Sequence, residues 1–279
     1  MAVYRIMDDC AWPVQSYFAV EKQRKTVILN RDGEHMKRFL TILIALTILV
    51  PHVRADTQPK YIALTFDDGP SGKYTERLLD GLRSRNASAT FFLCGYRLER
   101  FPELAGRIIR EGHEVGSHSD AHQYFTRLSP EALCRDLARA QEKLTGACGE
   151  APTLLRPPGG LFDVKALQKT VCAQMPVILW SVDAEDWRRS DAAGVARDII
   201  RKTRAGDIIL MHDMSDSSVT AALTVIDALQ VQGFEFVTVS ELALLHGVTL
   251  EPGKAYYRIP PQSAAKNDSS ASREPRSEP

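Results

Sequence analysis

Along this chain, short runs of consecutive apolar residues alternate with longer stretches whose apolar positions recur every three or four residues. Tyr61-Ile62-Ala63-Leu64-Thr65-Phe66 is one such run, and further strand-like runs lie at 89–93, 114–117, 154–156, 177–180, 207–211 and 234–237. Runs of this kind, bounded by turn-forming residues, predict strands buried on both faces. Between them, 74–85, 130–144 and 217–232 read as helices. Strands alternating with helices at this spacing predict parallel pairing through crossover helices, an α/β fold. No internal repeat is visible, and a single domain is expected.

Polar chemistry gathers where these strands end. Asp67-Asp68-Gly69-Pro70 closes the first run with turn residues, placing two carboxylates at a strand's C-terminal edge. In parallel α/β folds that edge is where loops bind ligands. The run at 114–117 leads into His118 and His122, which share a face if the residues between them form one helical turn. Two imidazoles and one carboxylate make a metal-ligand set that leaves positions open for water and substrate. Three more strands end in chemistry: Arg156 before Pro157-Pro158-Gly159-Gly160, Asp183 with Asp186 and Trp187, and His212 after Leu210-Met211. Taken singly, each has a structural reading, as a helix cap, a surface ion pair or a core aromatic. Five polar clusters at five successive strand ends point instead to one catalytic edge.

In this order the segments Thr65-Phe66-Asp67-Asp68-Gly69-Pro70, His118-Ser119-Asp120-Ala121-His122, Arg156-Pro157-Pro158-Gly159-Gly160, Asp183-Ala184-Glu185-Asp186-Trp187 and Leu210-Met211-His212 resemble the motifs of the polysaccharide deacetylases of carbohydrate esterase family 4, the NodB homology domain. The resemblance covers roughly 60–245. It implies a distorted (β/α) barrel with fewer strands than a complete eightfold one. It also implies that Asp68, His118 and His122 bind one divalent ion, zinc first, with cobalt or manganese as alternatives. Asp67 becomes the general base toward the attacking water, and Arg156 holds it ionised. His212 becomes the general acid for the departing amine, supported by Asp186 in preference to Asp183. A backbone N–H in the loop after Arg156 receives the oxyanion. Trp187 and Leu210 line a slot for the acetyl methyl, beside Gly159. The family commonly carries an aromatic where this chain has Gly159, so one wall of the substrate groove is expected to be missing. The implied substrate is an N-acetylated polysaccharide or oligosaccharide: peptidoglycan, chitooligosaccharide or exopolysaccharide. O-acetyl esters are open to the same attack.

The chain has 279 residues, 44% of them hydrophobic, enough for one sizeable core, and 35 basic residues balance 35 acidic ones. That balance gives no sign of nucleic-acid binding. Met36-Lys37-Arg38, the apolar run Phe39 to Val50 and then Val53-Arg54-Ala55 read as a secretory signal peptide cleaved after Ala55, with an uncleaved membrane anchor as the alternative. The expected division is an upstream extension or mis-assigned start at 1–35, a signal peptide at 36–55, the catalytic domain at 56–258 and a disordered tail at 259–279. A secreted or periplasmic monomer follows from this reading. Beyond Ala55 lie Cys94, Cys134, Cys148 and Cys172, whose even number suggests disulfides with three pairings open, although Cys94 also suits a buried thiol.

Two other functions compete. The facial triad of non-haem Fe(II) oxygenases also uses two histidines and a carboxylate, but it would leave Asp67, Arg156 and His212 idle. A noncatalytic glycan-binding module on the same fold would have no need for base, acid and ligands all to be present.

Overall fold

The strand that carries both aspartates is the axis of the fold. The computed structural model describes residues 59–163 and 174–261. Elements run β1 (Lys60–Gly69), α1 (Lys73–Ser84), β2 (Thr90–Leu93), α2 (Gly95–Leu98), α3 (Pro102–Arg110), β3 (Glu114–Ser117), α4 (Pro130–Cys148), β4 (Val177–Ile178), β5 (Val182–Asp183), α5 (Ala192–Lys202), β6 (Ile208–His212), α6 (Asp216–Val231), β7 (Phe234–Val237), α7 (Val239–Leu245) and β8 (Ala255–Tyr256). The main sheet has the order β3-β2-β1-β6-β5, with β7 also on β1, and its strand pairs are all parallel. Buried from Ile62 to Asp67, β1 shows the continuous burial that central parallel strands require.

The expected strand at 154–156 shrinks to Leu155, which bridges Ser117 on one side and Val177 on the other. Pro157 and Pro158 follow at once and have no N–H for a ladder. The expected strand at 177–180 likewise stops at Ile178, where β4 pairs with β8. Among the described residues β4 and β5 do not pair, so the barrel is a distorted one.

Helices cover the sheet through one large apolar cluster. It joins Leu78, Leu79 and Leu82 of α1 with Val219, Val225 and Ile226 of α6, and both with Leu64, Phe66 and Ile209 of the strands. Phe66 stacks on Phe91 with ring centroids 5.3 Å apart. Burying side chains of this size stabilises by about 1.5–3 kcal/mol each. Helix α4 starts where the Ser129 side chain accepts from Ala132 N. It continues past the expected 144 to Cys148, ending where Gly149 takes the left-handed conformation.

The domain extends past the expected boundary at 258, because Ile259 is buried, donates its N–H to Gly206 O, and accepts from His246 Nδ1. The segments 1–35 and 36–55, and the tail beyond 261, lie outside the described residues. Cys94 and Cys148 are free, whereas Cys134 is disulfide-bonded. Two disulfides among the four cysteines are therefore ruled out, and Cys172 lies outside the described residues.

Candidate active site

Adjacent residues of a strand point to opposite faces, so Asp67 and Asp68 need a backbone irregularity to serve one site. They have one: Asp68 lies at φ 69°, and the β1–β2 register shifts between Asp67 and Gly69. Asp68 Oδ1 then lies 3.3 Å from His118 Nε2 and 3.0 Å from His122 Nε2. The two histidines do not share a helical turn. The segment between them is a loop in which Ser119 and His122 have positive φ, and His122 N donates to Ser119 Oγ. The loop is braced from below by buried Asp136 of α4, whose carboxylate accepts from Asp120 N and Ala121 N at 2.9 and 3.0 Å.

The donor set fits a cation. His118 Nδ1 lies 2.7 Å from Arg156 O, an acceptor only, so Nδ1 carries a proton and Nε2 is the ring nitrogen turned toward Asp68. Asp68 Oδ1 is buried and has no hydrogen bond of acceptable geometry despite two imidazole nitrogens close by. Among the described residues, Asp68, His118 and His122 are the one group whose ligand atoms all lie within 4.8 Å of one another. Burial pushes the Asp68 carboxyl up, but the two imidazoles outweigh it and hold the group well below the usual carboxylate range. The same contact with Asp68 raises His122. Clustered acceptors that can be satisfied only by shared positive charge are what a divalent ion would relieve.

Asp67 is buried beside this cluster, its Oδ2 3.7 Å from His118 Nε2. Its other oxygen accepts from Arg156 Nη1 at 2.7 Å. Arg156 is fully buried, and each of its nitrogens is engaged: Nη1 also reaches Thr65 Oγ1, Nε reaches Ile178 O, and Nη2 reaches Leu179 O. The guanidinium lies 4.0 Å from the Phe92 ring centroid. Burial works against its charge and Asp67 supports it. A buried arginine satisfied on every side fixes the orientation of the carboxylate it faces.

At the end of β6, His212 gives Nδ1 to Asp186 Oδ1 at 2.8 Å, while its backbone N–H donates to Asp186 Oδ2 at 2.9 Å. Burial alone would lower its pKa, but the Asp186 carboxylate and the field of Asp67 and Asp68 raise it to about 9. The ring is therefore an imidazolium at neutral pH, with Nε2–H available. Asp183 is engaged elsewhere, accepting from Glu185 N and Trp180 Nε1. The choice between the two aspartates thus falls to Asp186.

The apolar slot differs from expectation. Trp187, 70% exposed, lines a cleft of about 550 Å³ with Asp68, Asp186 and His212. Leu210 does not line it; it is buried between Thr65 and Asp183 as their register partner. Gly159, at φ 63°, lines a separate cavity of about 270 Å³ with Trp180 and Tyr257. In the loop after Arg156, Pro157 and Pro158 have no N–H, and the amides of Gly160 and Leu161 are bonded within the turn. Gly159 N–H is thus the first donor available there. Sequence reasoning missed Asp136 and Asp213. The latter is fully buried behind His212, hydrogen-bonded to Thr75 and Ser71, and pushed up to about 6 by its burial. Its position next to His212 was the one available signal.

Residues 54–178 match the family model described as polysaccharide deacetylase. A peptidoglycan-N-acetylglucosamine deacetylase of Bacillus cereus is 37% identical over 66% of this chain and 88% of its own length. This chain belongs to the polysaccharide deacetylase family. The deacetylase PgdA of Listeria monocytogenes, a peptidoglycan-N-acetylglucosamine deacetylase, is 38% identical over 213 residues, and the chain spans 44% of its length. Among solved structures, a family 4 acetyl xylan esterase from Clostridium thermocellum in complex with a cobalt ion superposes with a TM-score of 0.68 at 31% identity, over 72% of this chain and all of that one. A second solved structure, described as the T48 deacetylase with substrate, superposes with a TM-score of 0.67 at 37% identity, over 71% of this chain and 96% of that one.

Proposed function

We propose that the chain is a metal-dependent polysaccharide N-deacetylase, hydrolysing the acetamide of N-acetylated sugars in cell-wall peptidoglycan to amine and acetate. One observation carries the reading: Asp68, His118 and His122 converge at the strand ends that also bring in Asp67 held by Arg156 and His212 held by Asp186. Relatives named as peptidoglycan deacetylases support the choice of substrate.

A divalent cation held by Asp68, His118 and His122, zinc by preference, would supply Lewis-acid activation of water and of the acetamide carbonyl. Asp67, oriented by Arg156, takes the proton of the attacking water. Gly159 N–H offers a donor to the developing oxyanion. His212 enters as imidazolium and gives its Nε2 proton to the nitrogen that leaves as the free amine. Asp186 fixes the ring so that this proton faces the cleft.

Export belongs to the same proposal, through the signal segment at 36–55, supported by the disulfide at Cys134, since disulfides persist in oxidising compartments. Mass spectrometry of the mature protein should find Asp56 first; intact chains containing Met36 in the membrane fraction would point to an anchor instead.

Acetate release from peptidoglycan and from chitooligosaccharide, with and without a chelator, tests the activity. Chelation should abolish release and added zinc or cobalt should restore it. Glycan binding without acetate release by the metal-loaded protein would overturn the enzymatic reading in favour of a noncatalytic module.

A further inference from the structure

The loop after Arg156 has no side chain at positions 159 and 160, which would leave the cavity they line open on that side. It is not open. A Cβ built at Gly159 would lie 2.9 Å from Tyr124 Cε1, 3.6 Å from Cδ1 and 3.8 Å from Cζ. The Tyr124 ring therefore occupies the volume into which a side chain at 159 would project. The two residues come from separate loops that both hold the metal cluster. Tyr124 follows the ligand His122 by two residues, and Gly159 follows by three the Arg156 whose carbonyl fixes His118. At about 3.5 Å of chain per residue, both lie within roughly 11 Å of those groups, the reach of one or two sugar rings.

The ring is held in place. Phe125, next in the chain, is buried with Leu133, Leu155 and Leu179, which pins the backbone beneath it. The Arg127 guanidinium stands 4.9 Å from the Tyr124 ring centroid and covers one face. One edge is approached by Gly159, and the ring remains partly exposed. A fixed aromatic face with a hydroxyl at its edge suits the apolar C–H face of a hexosamine ring and the polar groups around it.

We propose that Tyr124 is a specificity-determining wall of the glycan groove, taking the place of a side chain at 159 and packing against a sugar of the N-acetylated chain. This rests on the deacetylase reading. It says which residue of this chain selects the polymer, and it leaves the chemistry at the metal cluster unchanged.

The test compares wild type, Tyr124→Ala and Tyr124→Phe as metal-loaded full-length protein. Readouts are calorimetric binding of chitotetraose, kcat and KM for its deacetylation, hydrolysis of a small aryl acetate that carries no sugar, metal content and Tm. Tyr124→Ala should weaken chitotetraose binding and raise KM by about tenfold, the effect expected of one lost aromatic contact. Its kcat, aryl acetate hydrolysis and metal content should stay close to wild type, and Tyr124→Phe should retain most of the binding. Unchanged chitotetraose binding in Tyr124→Ala would overturn the proposal. So would equal losses on chitotetraose and aryl acetate with a lowered Tm, which would mark a structural role. Wild type that binds chitotetraose without releasing acetate would sink the deacetylase reading while the binding comparison still decides Tyr124; wild type that fails to bind would overturn both.

Discussion

Asp67 and His212 are register partners on the adjacent parallel strands β1 and β6. The two groups that would move protons are thus fixed at one level of the sheet by backbone hydrogen bonds. Their partners, Arg156 and Asp186, reach them from loops following other strands. Base and acid are therefore positioned by the most rigid part of the fold, whereas two of the three metal ligands depend on a loop.

This division separates the two neighbouring aspartates. Asp67→Asn should keep the metal and lower turnover by about a hundredfold or more, the usual loss when a general base is removed. Asp68→Asn removes an oxygen that both imidazoles face and should lose metal affinity first. Metal content and kcat for the two variants check this; equal metal loss in both would show that the carboxylates share one role.

The pH profile should report His212. Its pKa is raised to about 9, so the proton-donating form dominates below that value and kcat/KM should fall as pH rises through it. A bound cation offsets part of the negative field of Asp67 and Asp68, so the limb is expected at or below pH 9. Asp186→Asn removes the largest support for the charged ring, and burial is then opposed only by the field of Asp67 and Asp68. Its alkaline limb should move down toward or below the ordinary histidine value of about 6.5. The raised pKa also makes His212 stabilising below about pH 6.5, a contribution lost as pH climbs toward 9.

Arg156 carries structural weight as well. Arg156→Met would leave Asp67 buried without its cation and strand two backbone carbonyls, and it should destabilise the fold by about 3–5 kcal/mol. Arg156→Met combined with Asp67→Asn should recover part of that loss without recovering activity, because the uncompensated charge is gone but so is the base. Urea unfolding of the three proteins checks the sign of the coupling.

What the sequence revealed was local. Within each motif the residues stand close together in the chain, as do Asp67 and Asp68, His118 and His122, and Arg156 with Pro157 and Pro158, so their chemistry is readable without the fold. What it hid was set by distant contact or by backbone sign. The segment from His118 to His122 reads as a helical turn because a four-residue spacing suits one, yet the positive φ at Ser119 and His122 brings the rings together by a loop. Leu210 sits two residues before His212 in an apolar strand, and only the structure shows that it is buried between the neighbouring strands, beside Thr65 and Asp183. Tyr124 carries no motif at all, and its position depends on a glycine 35 residues further along the chain.

Asp136 extends this last point to metal binding. It touches neither metal nor substrate, yet its carboxylate takes both amides at the bend between the two histidine ligands. It is buried and separated from that bend by 16 residues, so nothing in the local sequence marks it. Removing the acceptor of two hydrogen bonds leaves the buried Asp120 N–H and the part-buried Ala121 N–H without that partner and lets the loop relax. Asp136→Ala should therefore weaken metal affinity by about 10–100-fold, as loss of outer-shell support commonly does. Asp136→Asn keeps one acceptor oxygen and should fall between. Affinity is measured by competition with a chromophoric chelator, and kcat at saturating metal should be largely preserved in Asp136→Asn. Wild-type affinity in Asp136→Ala would show that the loop holds its shape without this brace.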